Sequence, residues 1–347
     1  MKNRKREICT SGSVRDEDGQ PPHLLGRRNF LHLAAGAAAL SAVSRIAWAQ
    51  AYPSRPVRLI VPVGPAGATD ITARLVGQWL SERLGQQFII ENRPGAGTNI
   101  GTEAVVRAPA DGYMLLMVGP SNAINATLYD KLNFNFLRDI APVAPIVRFP
   151  YIMMVNPAVP AKTLPEFIAY TKANPGKISM ASPGIGSTPH VNGELFKVMT
   201  GINMVHVPYR SAAAVMTDLL SGQVQLYFGT TASSLEYVRT GKLRALAVTI
   251  ERRLDALPDI PAVAESVPGY EASGWFGVGA PSNTPVEIID KLNKEIDAGV
   301  ADPKMKARLA DLGGIALTGS PSDFGKLIVE ETEKWGKVVK FAGVKAD

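Results

Sequence analysis

The chain has 347 residues, a single cysteine, and 37 Lys and Arg against 31 Asp and Glu, a formal net charge of +6. At about 150 residues per domain this length predicts two domains, and one cysteine excludes an intramolecular disulfide. Residues 1–49 hold 8 basic and 4 acidic residues. The rest of the chain has 29 basic residues (37 less 8) and 27 acidic residues (31 less 4) and is nearly neutral. Nucleic-acid binding is therefore not expected.

The first predicted element is an export signal. Arg27 and Arg28 precede Asn-Phe-Leu, an apolar run covers 33–43, and residues 47–49 read Ala-Trp-Ala. These are the parts of a cleavable secretory signal, and paired arginines are typical of twin-arginine export. The apolar run is shorter than the roughly 20 residues of a membrane span. We therefore expect residues 1–49 to be a signal peptide cleaved near Ala49 and the mature protein to be periplasmic. The alternative is a core helix preceded by chance arginines.

Removal of this leader narrows the possible chemistry. It contains Cys9, the sole cysteine, and two of the four histidines. The mature chain would then have no thiol and only His190 and His206 as imidazoles. We expect no transition-metal site and no cofactor.

Strands and helices alternate along the rest of the chain. Apolar and β-branched runs predict strands at 57–63, 88–90, 113–118, 151–155, 178–181, 204–209, 224–228 and 243–248. Apolar residues at helical spacing predict helices between them, of which 70–85 and 163–174 are the most clearly marked, and an almost wholly helical tail from 285 with breaks at 302–303 and 313–314. This alternation predicts an α/β fold with mainly parallel sheets flanked by helices.

Two turns between a strand and a helix are rich in Gly, Ser and Thr, at 64–70 and 182–188. We call them the first and second glycine loops. The start of a helix presents free N–H groups and the positive end of a dipole, so each loop favours an anion without any Lys or Arg. Two such loops on different domains suit a ligand with two acidic or polar ends. The alternative is ordinary turn chemistry, in which Gly and Ser only shape the loops.

Several stretches resemble the periplasmic receptors of tripartite tricarboxylate transporters, the Bug receptors. They occur in family order at 61–70, 91–100, 109–113, 181–190, 206–209, 218–223, 241–247 and 275–277. The resemblance implies a two-lobed periplasmic binding protein fold of the type II, crossed-domain class. One lobe would comprise 50–152 plus 272–347, and the other 153–271.

The resemblance also implies a function. A small organic acid, such as a di- or tricarboxylate or an aromatic acid, would bind between the lobes, held mainly by backbone amides of the first glycine loop and closed over by the second. The protein would be a monomer that delivers this ligand to transporter membrane subunits. The expected ligand-binding residues are Val63, Gly64, Pro65, Ala66, Gly67, Ala68, Thr69, Asp70, Ser121, Asn122, Ser182, Gly184, Gly186, Ser187, Thr188, His190, Tyr209 and Gly229.

The chain departs from the family pattern at two informative places. Ala66 replaces the first glycine of a usual Gly-Gly pair, which keeps the N–H but makes a positive φ costly. Gly229 directly follows the predicted strand at 224–228, and family members frequently have an aspartate at that place. If that aspartate normally meets a ligand amine, its absence argues against an amino-acid ligand.

The other function class that we consider is an exported hydrolase of a small ester or amide. The sequence has no Gly-x-Ser-x-Gly elbow and no Ser-x-x-Lys pair, although a triad can assemble from distant residues. His190 is expected to orient the second glycine loop or the ligand, or else to cap a helix or lie at the surface. His206 is expected in the core. Asp70 either faces the cleft or stabilises a first helical turn.

Overall fold

The computed structural model describes residues 52–346, and the predicted signal peptide lies outside them. Their strands form two sheets, one of six strands and one of five. The strands are β1 Val57–Val61, β2 Phe88–Asn92, β3 Met114–Val118, β4 Ile140–Phe149, β5 Tyr151–Val155, β6 Ser179–Ser182, β7 Val205–Pro208, β8 Leu226–Thr230, β9 Arg244–Val248, β10 Gly274–Pro281 and β11 Ile315–Ala316. The strand order is β11-β4-β10-β3-β1-β2 in the first sheet and β7-β6-β8-β5-β9 in the second.

Helices connect most of these strands and cover both sheets. They are α1 Ala68–Leu84, α2 Asn99–Val106, α3 Pro120–Leu128, α4 Phe136–Asp139, α5 Leu164–Ala173, α6 Thr188–Thr200, α7 Ala212–Ser221, α8 Thr231–Arg239, α9 Val286–Ala301, α10 Pro303–Asp311 and α11 Pro321–Ala342. We call the six-stranded sheet with α1–α4 and α9–α11 the first half, and the five-stranded sheet with α5–α8 the second half. None of the described helices combines the length and the apolar character that crossing a bilayer would require.

The α/β prediction is confirmed, but the sheets are mixed and not mainly parallel. β1 pairs in parallel with β2 and β3, and β6 does so with β7 and β8, as expected for βαβ units. The antiparallel pairs all include β4, β5 or β10. The chain passes between the sheets through these strands: from β4 to β5 across the single residue Pro150, and back along 249–273 into β10. Their direction is set by this crossing, which local sequence patterns do not encode.

The core continues across both halves. Trp275 at the start of β10 and Trp335 on α11 are fully buried, and both indole N–H groups donate to Glu331 Oε2, at 3.1 and 2.8 Å. Lys334 pairs with Glu271, in the returning crossover, at 2.9 Å. α11 packs against α3 and β4 of the first half and also against α6 of the second. The C-terminal helix therefore supports the region where the chain crosses.

Candidate functional site

A cavity of about 440 Å³ lies between the two halves. We call it the main cavity. Its size is within the usual range for a small-molecule site. It is lined by Ala68, Thr69, Pro120, Ser121, Phe149, Tyr151, Ser187, Thr188, Pro189, Thr230, Ala232, Gly274, Phe276, Asp311 and Leu312. Residues of both sheets contribute to it, including Phe149, Tyr151 and Gly274, which flank the two crossovers.

Four helices begin at the main cavity, α1 and α3 from the first half and α6 and α8 from the second. The first intrahelical bond of α1 is donated by Ile71 to Gly67, so the N–H groups of the residues before Ile71 have no partner within the helix. In α3 the equivalent first bond runs from the Asn122 N–H to the Gly119 carbonyl. In α6 it runs from the Val191 N–H to the Ser187 carbonyl. Each terminus carries about half a positive charge. Their convergence produces an anion-binding environment from main-chain groups.

Away from the four helix starts, the lining of the main cavity is largely apolar and has one charged side chain. No Lys, Arg or His is among the residues that line the main cavity, and Asp311 is its one charged group. Phe149 and Phe276 form a wall, with ring centroids 5.1 Å apart. Burial raises the pKa of Tyr151 to about 12, against the opposing effect of a hydrogen bond with the Thr188 side chain. Tyr151 is therefore a neutral phenol at physiological pH.

A second cavity of about 350 Å³, the side cavity, adjoins the main one and shares Ser121 and Ser187 with it. Both glycine loops line it, through Gly64 and through 185–187, and Val63 lines it just before the first loop. None of the described residues that line it is charged. A Cβ built on Gly186 would lie 2.3 Å from Leu128 Cδ2. The two halves are therefore in close contact where the cavities meet.

The first glycine loop is held by Asp70 from beneath. Asp70 is 2% exposed, and its carboxylate accepts the Ala66 N–H at 3.0 Å, an Asn92 N–H at 2.9 Å and two N–H bonds from Arg74. Burial acts to raise the pKa of Asp70, but the hydrogen bonds from Arg74, Ala66 and Asn92 hold it below its ordinary value. Ala66 has a φ of 67°, the positive value expected to be costly there. Asp70 thus supports the loop, and the Ala66 N–H is already used.

Two histidines hold the second glycine loop. The Gly186 N–H donates to His190 Nδ1 at 3.1 Å, and the His190 ring stacks on His206 at 3.6 Å. His206 Nε2 lies 2.7 Å from Ser182 Oγ, which donates to the Gly184 carbonyl. Burial, and then the neighbouring His190, lower the pKa of His206 to about 4. The histidine pair therefore sets the conformation of the loop.

Ser182 and His206 do not form an accessible catalytic pair. Ser182 is fully buried, so no substrate reaches its hydroxyl. The low pKa of His206 also makes it a poor general base at neutral pH.

The predicted site residues fall into three groups. Ala68, Thr69, Ser121, Ser187 and Thr188 line the main cavity. Val63, Gly64 and Gly186 line the side cavity. The remaining ten line neither cavity: Pro65, Ala66, Gly67, Asp70, Asn122, Ser182, Gly184, His190, Tyr209 and Gly229.

Most of the third group has a structural role. Asn122 accepts the Gly119 N–H and donates to Thr102, which fixes the start of α3. Tyr209 donates to Asp218 at 2.7 Å. Gly229 is buried, and a Cβ there would lie 2.4 Å from Ser234 Oγ, so its lack of a side chain is a packing requirement.

Sequence reasoning missed several lining residues. Phe149, Tyr151 and Phe276 belong to strands that carry no sign of a cavity wall. Thr230, whose Oγ1 caps α8, lies in a strand-to-helix turn of the same kind as the two loops but without glycine. That turn type is the signal that could have found it. Asp311 comes from a helix distant in sequence from the other lining residues, and no local pattern marks it.

Comparison with known proteins shows which family this chain matches. A family model described as tripartite tricarboxylate transporter family receptor matches residues 72–344. The chain is similar to R. palustris Rpa4515 solved with adipate, at 36% identity over 85% of this chain and 99% of that one, TM-score 0.74.

Two further solved structures are similar. The periplasmic binding protein BugD is 34% identical over 85% of this chain and 100% of its own, with a TM-score of 0.71. MatC (Rpa3494) from Rhodopseudomonas palustris, with bound malate, is 28% identical over 83% and 100%, also with a TM-score of 0.71. These likenesses confirm the predicted two-lobed periplasmic binding protein fold and the family resemblance.

Proposed function

This chain belongs to the tripartite tricarboxylate transporter receptor family, whose members are periplasmic solute-binding receptors and not enzymes; on that premise we propose that it captures a small carboxylate-bearing solute in the main cavity and delivers it to transporter membrane subunits. The hydrolase alternative is wrong for a member of this family. Relatives solved with adipate and with malate support a carboxylate ligand.

The observation that carries the proposal is the convergence of helix N-termini on a cavity whose lining contains no cationic side chain. N–H groups of Thr69, Ser121 and Thr188 supply donors for carboxylate oxygens, and the Ser and Thr hydroxyls add more. Asp70, Asn122, Ser182 and His190 act indirectly, by holding the loops that carry these donors.

Ligand capture would be a closure of two lobes, 50–152 plus 272–347 against 153–271. The crossings at Pro150 and along 249–273 lie close to these lobe boundaries, and the lobes would rotate about them. A ligand that touches helix termini of both lobes binds the closed form better, and this difference in affinity drives closure. The receptor would act as an exported monomer, after cleavage of the leader near Ala49.

A thermal-shift screen of residues 50–347 tests this function. Organic acids are compared with neutral sugars of similar size. A true ligand at 100 times its Kd should stabilise the protein by about 2.7 kcal/mol. Stabilisation by carboxylates alone supports the proposal, whereas stabilisation by a sugar and by no acid contradicts it.

A further inference from the structure

The lining of the main cavity carries one acidic side chain among helix N-termini, and its place bears on which acid the cavity accepts. Asp311 ends α10 and lies on the lining. No cation lies within salt-bridge distance of its carboxylate among residues 52–346. The carbonyl end of α10, which carries a partial negative charge, lies at the same place. The lining around Asp311 is therefore negative, whereas helix N-termini contribute positive charge elsewhere on it.

Asp311 itself is exposed, whereas the turn that follows it is closely packed. A Cβ on Gly313 would lie 2.8 Å from the Ala232 nitrogen, and one on Gly314 would lie 2.4 Å from Val147 Cγ2. The Gly313 and Gly314 N–H groups donate back to α10, to Ala310 and Leu309 at 2.8 and 2.9 Å. The turn thus lies between β4 and the start of α8.

This packing changes the electrostatics of one helix terminus. α8 begins at Thr231, beside the turn that carries Asp311. The negative carboxylate and the positive terminus of α8 offset each other. At the other three termini, Asp70 in the first turn of α1 is paired with Arg74, and the first turns of α3 and α6 have no acidic residue. A ligand carboxylate is therefore favoured at those three termini and disfavoured beside Asp311.

We infer that Asp311 makes the cavity selective for acids that carry one carboxylate and, at the opposite end, a hydrogen-bond-donating group, above all an ammonium. The Asp311 carboxylate would accept from the ammonium, and the Phe149 and Phe276 rings provide faces for a cation. Gly229 leaves the second half without the aspartate frequent in the family, and Asp311 supplies a carboxylate from the first half instead. This inference rests on the proposed function, and it predicts a lower affinity for a dicarboxylate of the same length.

The test uses acids of matched length that differ in one terminal group: hexanoate, 6-aminohexanoate and adipate, with benzoate, 4-(aminomethyl)benzoate and terephthalate as a rigid series. Affinities are measured by calorimetry on the mature protein, on Asp311→Asn and on Asp311→Lys. Asp290→Asn, on an exposed position of α9, is the matched control. Melting temperatures without ligand show whether each variant is folded.

The wild type and Asp290→Asn should bind the amino acid of a series about tenfold or more tighter than the diacid, as expected for one charge pair in a partly solvated site. Asp311→Asn should remove this preference, and Asp311→Lys should reverse it. An unchanged ranking in folded Asp311→Asn would overturn the role of Asp311 while leaving the receptor function intact. Failure of every acid to bind any variant would overturn both.

Discussion

Gly186 provides a direct test of whether contact between the two halves controls binding. Replacement by leucine places a Cβ 2.3 Å from Leu128 Cδ2, whereas normal carbon contacts are about 3.5–4.0 Å. Either the Leu128 side chain must turn away or the halves must separate by about 1 Å or more at this point. Overpacking of this kind costs about 1–3 kcal/mol. Because the contact joins the halves, most of this cost should act on closure and not on folding, so the Kd should rise by roughly 5- to 150-fold.

Gly201→Leu is the matched control. Gly201 has a φ of 69°, close to the 73° of Gly186, but a Cβ there meets nothing within 4 Å. Both variants should lose about 1–2 kcal/mol of stability from left-handed strain, measured by urea denaturation. Only Gly186→Leu should lose affinity, measured by calorimetry with an acid from the screen. The added change Leu128→Ala should restore part of the affinity. Equal Kd values for the two glycine variants would refute the reasoning.

Three further predictions concern the loops. Ala66→Gly should raise the free energy of unfolding by roughly 0.5 kcal/mol or more, because it relieves a positive φ. The Kd of this variant should be unchanged. A loss of affinity would show that the methyl group matters to the site. Asp70→Asn should be about 1–3 kcal/mol less stable than the wild type at pH 7. Because the folded pKa of Asp70 is lowered, this difference in stability should shrink as the pH falls below about 3.9. A difference that does not depend on pH would argue against an ionised Asp70. His206 has a pKa of about 4 against an ordinary 6.5, so the unfolded chain takes the proton first and the wild type should lose stability as the pH falls from 6.5 towards 4. His206→Gln should show a smaller loss over this range in urea titrations, and parallel curves would contradict the assignment.

The features predictable from the sequence were those with local causes. Apolar runs and glycine-rich turns placed β1, α1, β6 and both glycine loops, since each depends on residues close in sequence. The anion argument identified the starts of α1 and α6, and these do line the main cavity.

The features that were missed depend on long-range placement. The direction of β5 and β10 follows from the passage of the chain between the sheets, which no local pattern records. Asp70 was expected to face the cleft or to stabilise a first helical turn, and His190 to orient the second glycine loop or the ligand, or to cap a helix or lie at the surface. Only the hydrogen bonds to Ala66 and Gly186 show that both side chains hold the loops. Asp311 joins the cavity through tertiary packing of α10 against the start of α8.

The main-chain origin of the anion donors has a consequence for how such a receptor can diversify. A substitution at Thr69, Ser121 or Thr188 changes a side chain but leaves a peptide N–H in place, unless proline is introduced. The proposed carboxylate capture would therefore tolerate substitution at these positions, and changes at Phe149, Phe276 and Asp311 would alter only the cavity wall. A fold of this kind can acquire a new ligand through a few changes in the cavity wall, without passing through an ancestor that has lost binding altogether.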